Sequence, residues 1–296
     1  MTQILDFLES SPLLHTIDIM DSIPNSSNAP PERIVTLGHL KTLTITTDTV
    51  NCIFKHFRIP VGASLKVIAH PGVEGFPLLE YLRGTSPNIE NLSCITAINF
   101  LFGPYAKYAK LSGPSGSLRI SGWRGNPAIP STAMDDQILR TLGPRILSTT
   151  ERLTISDCKH PELADVEEWS IFRTLLSANN LQTLALSRCD NQLFISALNP
   201  GKNSSDIVLC PSLKKFILFV ELWGLTNSLV DMAEERALRG AKLVSVTIVS
   251  LGTPVPETEV LELREHIPQV ECTVETMSPS WEYLPDEIGG GSSSGS

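Results

Sequence analysis

The stretch of the chain that most resembles a ligand-binding loop is GPSGSLR, residues 113–119. Glycine and serine at close spacing let backbone amides and hydroxyls surround a phosphate, as they do in P-loops. A P-loop also requires a lysine followed by Ser or Thr, and this stretch lacks that pair. A simple turn is therefore the favoured interpretation. Within residues 1–285, no GxGxxG, HExxH or GxSxG pattern occurs.

Side chains suited to metal binding or acid–base chemistry are scattered through the chain. The closest pair of metal-ligating types is Cys158 and His160, which is half of a tetrahedral zinc site. Adjacent acids at 135–136 and 167–168 are interpreted as solvated helix starts. The six cysteines lie near predicted strand ends and helix faces, where buried structural thiols are common. We therefore predict that the protein is not an enzyme and has no cofactor or metal.

Composition narrows the class of protein. The chain has 296 residues, 42% hydrophobic and 19% charged, which is typical of a globular protein. A net charge of −9 disfavours nucleic-acid binding, which normally requires a basic surface. No run approaches the roughly 18 apolar residues of a membrane span. The start, MTQILDFLESSP, lacks a basic signal-peptide region, so we predict a cytoplasmic or nuclear protein without a membrane association.

A pattern of apolar residues at i, i+3 and i+5 recurs along the chain. Leu181, Leu184 and Leu186 are one example, and we number the residues of each unit so that this triplet occupies positions 1, 4 and 6. The units start at residues 14, 40, 65, 89, 115, 150, 181, 213, 243 and 267, which are 24 to 35 residues apart. Seven units match the full triplet, and those that start at residues 65, 115 and 150 match it in part. Leucine-rich repeats have periods of about 20–29 residues and pair a short strand with a helix or 3₁₀ turn.

Helical patterns separate the predicted strands. They occupy 48–57, 76–84, 133–143, 167–176, 227–240 and 258–267. The segment from Ala97 to Ser115 has no such pattern, and we expect an extended or looped segment there on the convex side. The alternative, a doubly wound α/β domain, would favour more continuous apolar strands and a less regular spacing.

The units LLHTIDI, LKTLTITTD, ERLTISDCKHP and LQTLALSRCDN resemble leucine-rich repeats of the cysteine-containing kind. Cys158 and Cys189 fall at position 9, where that family caps the turn after the strand. The unit openings SPLLHTIDI, SPNIENL and CPSLKKF are similar to the repeat regions of fungal F-box proteins. In that family an F-box precedes the repeats, and the segment before residue 14 is too short to form one.

The resemblance implies a right-handed α/β leucine-rich-repeat solenoid, or horseshoe. A parallel sheet would form its concave face and helices its convex face. We expect about ten units over residues 1–285, followed by a flexible linker or tag remnant over residues 286–296. Stacking is required in such a fold because no single unit can bury its own apolar side.

Positions 3, 5, 7 and 8 of each unit should project from the concave face. Predicted partner-binding residues there are the cations Arg119, Arg152, Arg188 and Lys215 beside the apolar Ile217, Phe219 and Val249. Cations next to apolar anchors are typical of protein-binding surfaces. The alternative is that the charges pair locally, Arg152 with Asp157 or Arg119 with Glu151, and the sequence slightly favours it.

These features predict a monomeric protein that binds another protein. An acidic or phosphorylated segment would complement a row of cations. The resemblance implies that the chain is the substrate-recognition part of an F-box-type ubiquitin-ligase receptor. The alternative is a free-standing leucine-rich-repeat scaffold, or an inhibitor that occludes an enzyme.

Overall fold

Short strands alternate with turns and helices along the chain. A computed structural model describes residues 2–19, 33–46, 56–69, 95–101, 106–114, 116–123, 143–158, 175–202, 207–220 and 224–275. The strands are β1 Thr16–Ile19, β2 Val35–Thr36, β3 Thr42–Thr46, β4 Phe57–Arg58, β5 Ser64–Ala69, β6 Ala97–Leu101, β7 Ala106–Ser112, β8 Ser117–Trp123, β9 Arg152–Ser156, β10 Thr183–Ser187, β11 Lys215–Val220, β12 Ser245–Leu251 and β13 Gln269–Glu275. The helices are α1 Thr2–Glu9, α2 Gly143–Thr149, α3 Asn191–Leu198, α4 Thr226–Leu238 and α5 Glu257–His266.

The mixed apolar spacing of the units arises from a turn followed by a strand. In β10, Leu184 and Leu186 are fully buried, since alternate residues of a strand point to the same face. Leu181 lies in the turn before the strand, where its amide donates a hydrogen bond to the carbonyl oxygen of Ala178 (3.2 Å). The amide of Leu213 makes the equivalent bond to Cys210 (2.9 Å) in the next unit. The opening leucine of these units therefore belongs to the turn.

One large sheet dominates the described part of the chain. It has eleven strands in the order β1-β3-β5-β8-β7-β6-β9-β10-β11-β12-β13, and β2 and β4 form a separate parallel pair. All neighbouring strands of the large sheet run parallel except β7, which is antiparallel to both β6 and β8. The protein is thus a mixed α/β fold with a large, mostly parallel sheet.

The prediction of a convex segment between Ala97 and Ser115 is wrong. The chain forms strands β6 and β7 there, and with β8 they make a meander within the sheet. Ile98 and Phe100 alternate with polar or small residues and are buried, so these residues stabilise strand structure rather than a loop. The turn between β7 and β8 is closed by a hydrogen bond from the Gly113 amide to the Gly116 carbonyl oxygen (3.0 Å).

One predicted unit is displaced from its strand, and another lies outside the described residues. In β5, Leu65 pairs with Leu43, so Leu65 occupies position 4 and the unit starts at residue 62 rather than 65. Its second core residue is Val67, not Ile68. The triplet predicted to start at residue 89 lies outside the described residues; Ile95, which is buried, precedes β6 in the equivalent place.

Among the described residues, the helices cover one face of the large sheet, and we call the opposite face the helix-free face. The buried apolar residues of α1 to α5 belong to the same core as positions 4 and 6 of the strands. The predicted helices at 227–240 and 258–267 are confirmed as α4 and α5. The helix α4 ends at Leu238, and Gly240 follows with a φ of 77°, which favours glycine; the Ala241 amide donates a hydrogen bond to the carbonyl oxygen of Arg236 (2.9 Å). Patterns at 76–84 and most of 48–57, 133–143 and 167–176 lie outside the described residues.

Candidate functional site

The face of the sheet opposite the helices presents the residues at positions 3, 5 and 7. Because neighbouring strands are in register, residues at one position form a row across the sheet. The position-3 row reads, in sheet order, Thr16, Thr42, Ser64, Ser117, Ser112, Ala97, Arg152, Thr183, Lys215, Ser245 and Gln269. The position-5 row reads Asp18, Thr44, Lys66, Arg119, Lys110, Asn99, Thr154, Ala185, Ile217, Thr247 and Glu271.

Positive charge is concentrated in the middle of these two rows. Lys66, Arg119 and Lys110 are consecutive in the position-5 row, on strands about 4.8 Å apart. Carboxylates occur only at the two ends of that row, and the position-3 row has none among the described residues. In a chain of net charge −9, this places a cationic patch on the helix-free face.

The four predicted cations do not form one row on adjacent strands. Arg119 lies on β8 and Arg152 on β9, and the meander places β7 and β6 between them. Lys215 is at position 3 of β11, two strands beyond Arg152. The expectation of a continuous stripe is therefore wrong, because chain order and strand order differ in the middle of the sheet.

Arg188 is held by a local ion pair. It follows β10 with a φ of 52°, and its Nη2 lies 2.7 Å from an Oδ of Asp157. Asp157, with a φ of 57°, occupies the same position 8 in the preceding unit. Arg188 thus forms a local ion pair of the kind that the alternative interpretation predicted. The predicted partner of Asp157, however, was Arg152.

The predicted apolar residues are adjacent but buried. Ile217, Phe219 and Val249 pack with Ala185 in a cluster distinct from the main core, and each of the four is only 5–7% exposed. The expectation that they present an exposed anchor to a partner is wrong. These residues lie on the neighbouring strands β10, β11 and β12, where Ala185 pairs with Ile217 and Phe219 pairs with Val249. The register of the parallel strands therefore places the four side chains in contact.

Sequence reasoning missed Lys66 and Lys110. Lys66 was assigned to position 2 because the third unit was placed three residues late; in the observed register it occupies position 5. Lys110 lies on an antiparallel strand that the repeat spacing cannot predict. The alternation of AKYAKLS before a Gly/Pro turn was the available signal for that strand.

A polar pocket opens at one end of the sheet and is formed by residues on or next to β5, β7, β8 and β9. Its volume is about 440 Å³, and it is lined by Gly62, Ser64, Lys110, Ser112, Gly113, Gly116, Ser117 and Arg152. The pocket exists because four neighbouring residues of the position-3 row, Ser64, Ser117, Ser112 and Ala97, have small side chains before the row reaches Arg152.

The pocket lining carries donors and positive charge. The hydroxyls of Ser64 and Ser117 lie 3.0 Å apart and share one hydrogen bond, which leaves one of their two protons free to donate to another group. Lys110 and Arg152 supply two charges, and the described lining contains no carboxylate, imidazole or thiol. Such a lining is suited to binding an anion, and its described residues include no carboxylate or imidazole that could activate a serine hydroxyl as a nucleophile.

Cys189 and Cys210 are structural in character. The Cys189 thiol donates to the carbonyl oxygen of Ile155 (3.3 Å), and burial raises its pKa to about 12. Burial also raises the pKa of Cys210 to about 12, and its thiol donates to Leu175 (3.3 Å). Within the described ranges, no group of three or more His, Cys, Asp or Glu side chains is arranged for a metal. His160, which the sequence suggested as a second metal ligand beside Cys158, lies outside the described residues. The acidic pairs at 135–136 and 167–168 also lie outside them.

Fold and site together define a mixed α/β protein with a cationic, helix-free sheet face. In the part of the chain that the structure describes, no helix is long and apolar enough to cross a membrane. Comparison with models of protein families, with curated proteins and with solved structures finds no significant match to this chain.

Proposed function

We propose that the chain is a leucine-rich-repeat solenoid that binds a protein partner through its helix-free sheet face and catalyses no reaction. The regular turn before the strands and the left-handed residues at position 8 of successive units support the repeat assignment. The β6–β8 meander is then an insertion that interrupts an otherwise stacked series of units.

The observation that carries the proposal is the separation of charge over the molecule. Lys66, Arg119 and Lys110 lie together on a face that has no carboxylate in its position-3 row, while the chain as a whole is acidic. A partner surface of opposite sign would be attracted to this face and oriented on it. An acidic or phosphorylated segment is the complementary partner.

The role of substrate receptor in an F-box-type ubiquitin ligase is the biological setting that we propose for this binding. It derives from the resemblance of the unit sequences. The same cationic face would equally serve a free-standing scaffold or inhibitor.

Charge reversal of the patch tests the proposal. The double variant Lys66→Glu, Arg119→Glu changes the net charge by −4, and both side chains are exposed. The matched control is Lys202→Glu with Lys242→Glu, which makes the same charge change at exposed sites outside the two rows.

Quantitative affinity capture from an extract of the source cells should compare these two variants with the unmodified protein. We expect at least one protein to be captured by the unmodified chain and the control and to be lost with the patch variant. Equal losses with both variants, or no captured protein, would contradict the proposal. Circular dichroism of both variants verifies that each remains folded.

A further inference from the structure

We propose that the pocket between β5, β8, β7 and β9 binds a phosphate monoester dianion. The inference rests on the proposed function, in which the phosphate is carried by a phosphorylated serine or threonine of the protein partner. The pocket lies at the end of the sheet where the turn that contains Gly113 and Gly116 joins β7 to β8, next to the cationic patch.

The charge of the lining matches that of the ligand. Lys110 and Arg152 approach the pocket from β7 and β9, which are separated by one strand, so their backbones are about 10 Å apart across the sheet. Two cations in one pocket lining favour a ligand that carries more than one negative charge, and a phosphate monoester carries about −1.5 to −2 at neutral pH.

The hydrogen-bond donors of the lining match the oxygens of a phosphate. The guanidinium of Arg152 offers a planar set of donors that suits phosphate geometry, and the ammonium of Lys110 adds a point charge. Ser112, two residues from Lys110 on β7, also lines the pocket, and the Ser64–Ser117 pair retains one donor proton. These groups supply at least one donor for each of the three terminal oxygens of a phosphate.

The surroundings of the pocket favour a phosphate that is part of a chain. Arg119 and Lys66 continue the positive charge along the position-5 row away from Lys110. They would contact acidic residues that flank a phosphorylated residue. The carboxylate nearest in sequence to Arg152 is Glu151, which precedes the strand and does not line the pocket.

The test uses the full chain and two peptides that differ only in one phosphate. One contains phosphoserine flanked by glutamates, and the other contains serine in its place; inorganic phosphate serves as a third ligand. Isothermal titration calorimetry measures each affinity. We expect the phosphopeptide to bind at least tenfold more tightly than its twin, and more tightly than inorganic phosphate.

Variants locate the phosphate in the pocket. Arg152→Gln should remove most of the tenfold advantage of the phosphopeptide, and Ser112→Asp should do the same by adding a negative charge without deleting a cation. The control Lys242→Gln, an exposed cation near β12, should retain the advantage. Thermal unfolding of each variant verifies that the fold is intact.

The outcomes separate this inference from the proposed function. Equal binding of both peptides that is lost in the Lys66→Glu, Arg119→Glu variant would overturn the phosphate pocket and leave the protein-binding face standing. Inorganic phosphate could instead bind as tightly as the phosphopeptide and depend on Arg152. This result would support the pocket as a phosphate site and overturn the proposal that the phosphate is carried by a protein. An advantage of the phosphopeptide that persists in Arg152→Gln and Ser112→Asp would overturn the location.

Discussion

Replacement of the buried Arg236 should lower stability more than replacement of any exposed arginine. Arg236 lies in α4 with no exposed surface, and its guanidinium donates hydrogen bonds to the carbonyl oxygens of Leu209 and Cys210, both at 2.8 Å. A longer contact of 3.5 Å reaches Leu198. These bonds connect the helix to the segment before β11, so the side chain joins two successive units.

The magnitude for Arg236→Met follows from the groups that lose a partner. The carbonyl oxygen of Leu209 would be left unsatisfied, at about 1–3 kcal/mol. The carbonyl oxygen of Cys210 keeps its bond from the Leu213 amide but loses a bond from a charged group, at about 1.5–3 kcal/mol. Part of this loss is offset, because the variant no longer buries a charge; burial lowers the pKa of Arg236, which reflects that cost. The Nε atom has no partner among the described residues, so its removal costs nothing. We expect a net loss of about 3 kcal/mol.

Thermal and urea unfolding measure this loss. At about 2–4 °C per kcal/mol, the melting temperature of Arg236→Met should fall by about 6–12 °C. The control is Arg239→Met, an exposed arginine one turn further along that pairs with Glu235, and its effect should stay within about 1 kcal/mol. If Arg236→Met were as stable as the unmodified chain, the cost of burying the charge would equal the value of its hydrogen bonds, and the reasoning would be refuted.

Three further predictions concern single contacts. Arg188→Val should lower stability by about 1–2 kcal/mol in urea unfolding, because a β-branched residue tolerates a φ of 52° poorly, whereas Arg188→Gly should be close to neutral. The hydrogen bond from Arg33 holds the pKa of Glu9 below its ordinary value of 4.5, so this pair stabilises the fold above pH 4.5 and the contribution disappears as the pH falls through the lowered value; the difference in melting temperature between Arg33→Ala and the unmodified chain should vanish in acid. In native thiol titration, the exposed Cys272 should react well before the buried Cys210, and equal rates would indicate that the β11 region opens readily.

Local patterns in the sequence predicted most of the regular strands. The triplet at Leu181, Leu184 and Leu186 is buried in the predicted way, and so is the triplet that starts at Leu213. A parallel strand with one face on the core needs apolar residues two apart, and the turn before it needs another, so the pattern is visible within about six residues. The helices α4 and α5 were predictable for the same reason, since their apolar periodicity and their end signals are local.

The candidate site was predicted less well because it depends on which strands are neighbours. Arg119 was assigned to the sheet face opposite the helices and does lie on it. Lys66 was missed through a shift of three residues in its unit, which moved its side chain to a different position. Arg188 was predicted to contact a partner, but it follows β10 in a left-handed conformation and forms an ion pair with Asp157.

The sequence by itself determined where the chain alternates between turn, strand and helix, since those choices follow from burial over a few consecutive residues. Only the tertiary structure decided that β8 neighbours β5 and that β6 neighbours β9. This order of strands brings Lys110 beside Arg119, and it places Arg152 in the lining of one pocket together with Ser64 of β5 and Ser117 of β8. The pairing of distant strands depends on how all apolar faces are buried together, and that is a property of the whole sheet rather than of any one segment.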